Sequence, residues 1–243
     1  MGRKSTTDDD DPISTLSGRI SREIRRMIIS GELRPGERLL QQHLAKKFQV
    51  SQGVLREALL EAQFSGLVIA PRGAGASVAA IDLPRVMEAY EVREMLEGLS
   101  ARLCCLRAAP AHVRELSDMA HQVHALGIAG KDRDRAQLDR QFHERIIEIA
   151  RNGVVERLSQ GYHVVRLVVL KEVPHDQVLA DHLAIVEAIR AGDEAAAEQA
   201  ARQHVVSARE LVRQQMLARS FSFPWDAAAA ATAAAADEGG AKA

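Results

Sequence analysis

The sequence predicts a mainly α protein, with an N-terminal winged helix-turn-helix carrying a small β-hairpin wing and a C-terminal all-α bundle of about six helices. Three observations carry that expectation. Only 3% of the 243 residues are aromatic, while Ala, Leu, Glu and Arg, which favour helices over strands, are abundant. Apolar residues recur at helical spacing along most of the chain. Two β-rich runs, Leu67-Val68-Ile69 and Ala76-Ser77-Val78, flank the turn Pro71-Arg72-Gly73-Ala74-Gly75 and read as a hairpin.

Residues 1–12 are polar and acidic and are expected to be disordered. They lack the apolar core of a secretory signal. From Ile13, the spacing Leu16, Ile20, Ile24, Met27, Ile28 predicts an amphipathic helix that stops at Gly31, before the turn Leu33-Arg34-Pro35-Gly36. A short helix from Leu40 to Phe48 should turn Leu44, Ala45 and Phe48 inward. Gln49-Val50-Ser51 makes a three-residue turn, with Ser51 as N-cap. The next helix, Gln52 to Ser65, should bury Leu55, Leu59 and Ala62 before Gly66 ends it. Three helices and a hairpin give a winged helix-turn-helix over residues 13–81.

Asp82-Leu83-Pro84 marks the boundary, as an N-cap followed by a proline tolerated in a first helical turn. Breaks at Ala109-Pro110, Gly127 to Gly130, Asn152-Gly153, Val173-Pro174 and Gly192-Asp193 then delimit helices at 83–108, 111–126, 131–150, 153–172, 176–191 and 193–219. Val164, Val165, Leu167, Val168, Val169 and Leu170 are the most apolar stretch and predict a helix buried on most sides. The second domain is assigned to 82–220, and an Ala-rich tail, 221–243, is expected to be disordered.

A formal net charge of −1 hides an asymmetry. Residues 13–81 carry ten Lys/Arg against five Asp/Glu, while 1–12 and 82–243 are both net acidic. A basic head on an acidic body is the footprint of a module that meets a polyanion. No run of about 18 apolar residues exists to span a membrane. The adjacent Cys104 and Cys105 supply no disulfide framework, so a reducing cytoplasm is the expected location.

The second helix of a helix-turn-helix pair enters the major groove with its first turns nearest the base edges. Here Gln52, Gly53 and Arg56 lie opposite Leu55 and Leu59 and are expected to meet DNA. Arg can read guanine and Gln adenine, or either can hold phosphate. Arg72 at the wing tip can reach the minor groove or backbone, with Gly73 permitting close approach. Solvated surface cations are the ordinary alternative for both arginines.

Four side chains of the second domain have spacing that suits a metal. Asp139 and His143 are i and i+4 on one helical face. His182 lies ten residues before Gly192 and His204 eleven after Asp193, so an antiparallel helix pair closed there brings them to one level. Asp plus three imidazoles suits Zn²⁺, Ni²⁺, Mn²⁺ or Fe²⁺. Spacing alone leaves open that these histidines are surface or hydrogen-bonded residues, since nine occur and His121/His124 share a face as well.

The segment "LRPGERLLQQHLAKKFQVSQGVLREALLEAQFSGLVIAPRGAGASV" resembles the N-terminal domain of GntR-type bacterial transcription regulators, with their Pro-Gly turn, "REAL" recognition helix and "RG" wing. The family usually has Ser-Arg-Thr-Pro-Val-Arg where this chain has Ser51-Gln52-Gly53-Val54-Leu55-Arg56, so Gln52 replaces a basic contact. "YEVREMLEGLSARL", "LDRQFHERIIEIARNGVVERL" and "DHLAIVEAIRAGDEAAAEQAARQH" resemble the all-helical FCD domain of the FadR-like branch. That resemblance implies a divalent metal on Asp139, His143, His182 and His204, and a small carboxylate (an organic or sugar acid) beside it. It also implies Arg93 as the anion's partner, with an ion pair to Glu91, Glu94 or Glu97 as the alternative. Asn152, at a family position, is read as a C-cap and turn residue.

The expected function is a homodimeric, ligand-responsive regulator on an inverted-repeat (palindromic) operator. Most such proteins release DNA on binding ligand, as repressors do. Two other functions stay open at this point: a metal-dependent enzyme using the Asp/three-His set, and a DNA-binding protein with a metal-free structural bundle. Against the enzyme, no separate general base or nucleophile is poised by the sequence, and the basic head would go unexplained.

Overall fold

The computed structural model of the chain describes residues 15–64, 66–71, 73–80, 82–159, 169–170, 173–219 and 221–222. The disordered tail expected at 1–12 and Arg72 lie outside them, as does most of the Ala-rich tail. The chain divides into two compact units between Ala80 and Ile81.

In the first unit, α1 (Leu16–Ser30) starts where Thr15 Oγ1 accepts the Gly18 N–H at 3.1 Å. It stops at Gly31, whose φ of 82° is the left-handed C-cap that glycine adopts without strain. Ile20, Ile24, Met27 and Ile28 form its buried stripe. α2 (Gln41–Phe48) and α3 (Gln52–Phe64) are joined by the expected three-residue turn. Gln49 takes a left-handed conformation there, and Ser51 Oγ accepts the Val54 N–H at 3.3 Å. Leu55, Ala58, Leu59 and Ala62 bury one face of α3, which packs on α1.

The wing hairpin consists of β2 (Val68–Ile69) and β3 (Ala76–Val78), paired antiparallel with Val68 opposite Val78. A third strand, β1 (Arg38–Leu39), was not expected. It pairs with the other edge of β3, with Arg38 opposite Ser77. Two residues are too few to show a period-2 pattern in sequence.

The second unit begins with α4 (Leu83–Cys105), where Asp82 Oδ1 accepts the Arg85 N–H at 2.9 Å and Pro84 sits in the first turn. Then come α5 (Pro110–Ile128), α6 (Asp132–Ala150), α7 (Gly153–Ser159), α8 (His175–Ala191) and α9 (Glu194–Ala218). Ala101, Leu116, Phe142, Ile185 and Ala197 meet in one core drawn from α4, α5, α6, α8 and α9. α4 packs mainly on α9, and the two approach closely at Gly98, where a Cβ would lie 2.6 Å from Arg202 Cγ. Among the described residues no helix is long and apolar enough to cross a membrane.

Three expectations fail here. The helix predicted over 153–172 does not run its full length, because Val169–Leu170 forms β4; α7 is described over Gly153–Ser159. Val164, Val165, Leu167 and Val168 lie outside the described residues. Val169 is β-branched, and such residues are stiff at χ1 and suit a strand. The tail from residue 221 was expected to be disordered, yet Phe221–Ser222 forms β5 and pairs antiparallel with β4. Asn152 does not cap α6, since Arg151 takes the left-handed position at φ 46°. Asn152 instead starts α7, its Oδ1 accepting the N–H groups of Val154 and Val155 at 3.1 and 3.2 Å. A short polar side chain at a helix break serves whichever terminus its oxygen reaches, and here that is a pair of orphan donors.

Candidate metal centre and nucleic-acid interface

The face of α3 follows directly from its burial pattern. Leu55 and Leu59 are buried against α1, and 3.6-residue periodicity turns Gln52, Gly53 and Arg56 to solvent, where all three are exposed. Arg56 makes no ion pair among the described residues, so its charge is not neutralised locally. At the wing, Gly73 has φ 79°, a conformation that L side chains rarely adopt, and no heavy atom lies within 4 Å of where its Cβ would stand. The glycine is therefore required by the turn rather than by crowding. Arg38 on β1 donates from Nη2 to Ala74 O at 3.1 Å and ties the turn to the sheet. Sequence reading missed Arg38, because its role depends on a strand two residues long.

In the second unit, three helices deliver the four candidate ligands. Asp139 and His143 share a face of α6, His182 lies on α8 and His204 on α9. Gly192, left-handed at φ 69°, ends α8, and Asp193 starts α9 by accepting the Ala196 N–H at 3.0 Å. This tight reversal brings the His182 and His204 rings to 4.7 Å between centroids. His143 lies 5.3 Å from His182 and 4.9 Å from His204 by the same measure. One nitrogen from each of the three falls within 4.8 Å of the other two. Asp139 stands at the edge of the group, half-buried, with Oδ1 3.5 Å from His182 Nε2. Phe142 stacks on His182 at 4.3 Å and closes one side of the cluster with an apolar ring.

The chemistry of this donor set fits a metal ion. His143 Nε2, both ring nitrogens of His182, and His204 Nδ1 are buried with no hydrogen-bond partner among the described residues. Each such orphan costs about 1–3 kcal/mol unless something satisfies it. A cation shared among three imidazoles would satisfy three of them at once. Burial, followed by the neighbouring His204, holds the His182 imidazole well below its ordinary range, so it is neutral, as a ligand must be. Burial alone would raise Asp139, but His143, His182, His204 and Arg93 outweigh it and lower the carboxyl's pKa, keeping it ionised.

Behind the cluster stands Glu97 on α4, 5% exposed. Its Oε2 lies 2.9 Å from His143 Nδ1, and its Oε1 accepts from Arg93 Nε at 2.6 Å. The pair is close but its angle is poor for a hydrogen bond, and Oε2 has no hydrogen-bond partner among the described residues; once aligned, a carboxylate on Nδ1 would fix the tautomer that leaves Nε2 with its lone pair free. Burial opposes ionisation of Glu97, but Arg93 and His143 overcome it and hold the carboxyl far below its usual range. Asp181 Oδ2 lies 3.5 Å from His204 Nδ1 without a hydrogen bond between them. Arg93 is thus both ion-paired to Glu97 and close to the metal candidates, with its guanidinium 5.4 Å from the Tyr90 ring centre. Glu97 had entered the sequence reading only as a rival partner for Arg93. The available signal was the i, i+4 spacing of Arg93 and Glu97, and nothing local pointed to His143.

Known proteins resemble this chain along most of its length. The family described as "Bacterial regulatory proteins, gntR family" matches residues 16–78, and the FCD domain matches residues 88–207. The HTH-type transcriptional repressor RspR of Escherichia coli (strain K12) is 28% identical over 209 residues, covering 84% of this chain and 91% of that protein. The HTH-type transcriptional regulator LutR of Bacillus subtilis (strain 168) is 26% identical over 212 residues, covering 76% and 96%. These relatives are transcriptional regulators, not enzymes. The solved structure of E. coli McbR/YncC aligns with a TM-score of 0.62 at 16% identity, over 83% of this chain and 98% of that one, which is a likeness of fold.

Proposed function

This chain belongs to the gntR family of bacterial regulatory proteins and is a transcription regulator with an FCD domain; from that premise we propose that it is a homodimer reading an inverted-repeat operator and sensing a small carboxylate beside a divalent metal. Residues 13–81 form the DNA-binding domain in this reading, and 82–220 the sensing and dimerising domain. Gln52, Gly53 and Arg56 meet the major groove, with Arg72 and Gly73 at the wing. Repression is the mode we propose, from the likeness to RspR.

The observation that carries the sensor is the convergence of buried, unsatisfied imidazole nitrogens from α6, α8 and α9. Asp139, His143, His182 and His204 would hold the ion. The metal would supply an electrophilic anchor for one oxygen of a carboxylate. Arg93, a planar donor already within reach of a carboxylate, would orient the anion. Glu97 would keep His143 in the ligating tautomer. Effector binding then changes DNA affinity only to the extent that the effector prefers one arrangement of the two heads.

Thermal-shift screening of small carboxylates, with and without added Zn²⁺, Ni²⁺ or Mn²⁺, tests this function. A carboxylate that stabilises the protein only when metal is present, and loses that effect in Arg93→Ala while metal content is retained, supports it. Asp139→Ala should lower metal content and the ligand response and leave basal DNA binding intact. Protein purified without an affinity tag that carries no metal, and responds identically after His143→Ala and His182→Ala, would favour a purely structural bundle. Gel shifts on the DNA flanking its own gene test the operator.

A further inference from the structure

We propose that the end of the bundle where α5 stops and α6 and α8 begin is a second ligand site, built around the buried Arg135 and suited to a small oxyanion. It stands apart from the imidazole cluster. Arg135 lies one turn of α6 before Asp139 and two before His143, and His175 lies two turns of α8 before His182, about 10 Å at ~1.5 Å per residue. Helical side chains lean toward the N-terminus, which carries the Arg135 guanidinium further from the cluster. Arg135 is 6% exposed, and its side chain makes no hydrogen bond among the described residues. Its nearest carboxylate oxygen among them, Asp132 Oδ1, stands 4.0 Å from Nε, too far to bond, on a side chain that is itself half in water. A guanidinium cannot shed its proton to relieve burial. Such a charge persists in the interior only where something pairs with it.

The surroundings select an anion. α8 starts with His175, whose ring occupies the space where a Cβ of Gly127 would stand, in the last turn of α5. α6 starts just after the same turn, so two helix N-termini meet at this end. Neither N-cap residue, Lys131 or Pro174, bonds a first-turn N–H through its side chain. The leading N–H groups of both helices therefore add their positive ends to the guanidinium. The last-turn carbonyls of Leu126 and Gly127 are taken by the Lys131 and Gly130 N–H groups, so they do not pair with Arg135. Burial, followed by Arg135, holds the His175 imidazole below its ordinary range, so the ring is neutral and keeps one N–H to donate. The acids of these first turns lie outward. Asp176 is 95% exposed and pairs with His124 Nε2 at 2.8 Å, Asp132 is half exposed, and Asp134 is exposed. Water and salt screen their charges far more than they screen a buried guanidinium. A planar fork of donors beside free helix N–H groups matches phosphate or a carboxylate, which can offer an oxygen to each.

The test is a melting-temperature titration of the full chain with sodium phosphate, sodium acetate and sodium chloride, at millimolar concentration and matched ionic strength. Phosphate, acetate or both should raise the melting temperature of the wild type by several degrees over chloride, and the larger rise names the oxyanion. Arg135→Met should abolish that rise, whereas a general salting effect would survive the substitution. In chloride alone Arg135→Met should melt no lower than the wild type, because it removes an uncompensated charge and keeps the bulk. A residue that merely props the helices would lower the melting temperature in every buffer. Arg135→Lys, which keeps the charge and loses the planar fork, should keep a smaller rise. His143→Ala/His182→Ala should respond to phosphate as the wild type does, which separates this site from the sensor reading. An equal response to all three salts, a rise retained in Arg135→Met, a rise lost in His143→Ala/His182→Ala, or an Arg135→Met variant less stable than the wild type in chloride would each overturn the proposal.

Discussion

Arg56 and His182 mark the two ways this chain holds its chemistry. Arg56 stands in solvent on one short helix, within five residues of Gln52 and Gly53, with no ion pair among the described residues. His182 is wholly buried and meets partners 39 residues before it and 22 after it, delivered by three helices. The contrast follows from the ligands. A duplex is a large polyanion that releases its own counterions when cations approach, so the protein need only present charge on a rigid face. A single metal ion must leave water, so its ligands must be dry, neutral and aimed beforehand. Salt should therefore govern the head, while pH and metal supply govern the bundle.

The contrast breaks most sharply if removing sensor ligands disturbs the head. His143→Ala/His182→Ala should lose bound metal to background by elemental analysis while DNA affinity in gel shifts stays within twofold. A parallel fall in both would mean that the metal is structural for the whole chain. Arg56→Ala should weaken DNA binding by about 1–3 kcal/mol and lower the salt slope by about one charge, with Zn²⁺ content unchanged. An unchanged affinity across a salt series removes Arg56 from the groove.

Glu97→Leu sharpens the picture within the bundle. It should reduce Zn²⁺ affinity by about 10–100-fold in a competition titration, with Glu97→Gln recovering part of the loss through its carbonyl oxygen. Equal loss in both variants would mean that charge, not the orientation of His143, is what Glu97 supplies. The smallest effect is on pH. Because the folded state holds His182 neutral, the unfolded chain binds the extra proton below about 6.5. Metal-free protein should then lose stability as pH falls from there, by at most about 1.4 kcal/mol per pH unit, and His182→Gln should flatten the melting-temperature profile.

How far each region could be read in advance follows from the same contrast. The head was legible because its signals are local. Burial of Leu55 and Leu59 alone turns Arg56 outward, and Gly31, Ser51 and Gly73 punctuate the chain where their conformations demand. In the bundle, the i, i+4 pair of Asp139 and His143 was visible, and the reversal at Gly192-Asp193 was enough to level His182 with His204. Glu97 was not, because its second partner comes from another helix and no spacing rule connects α4 to α6. β4 and β5 escaped for a related reason: each is two residues long, and they pair across about fifty residues of chain. Apolarity marked Val169-Leu170 as part of a buried helix, whereas the pair forms a strand.

One glycine sets a tolerance that no charged residue here does. At Gly98 the Arg202 side chain of α9 lies closer to α4 than a single methyl group requires, and the obstructing atom, Cγ, is mid-chain rather than at the mobile end. α4 holds Arg93 and Glu97, and α9 holds His204, so the close approach of α4 and α9 bears on how the anion partner and the imidazole are spaced. Even alanine would press on the Arg202 side chain and should shift the two helices without touching a ligand. The spacing of these two helices is thus kept by a residue with no functional group at all.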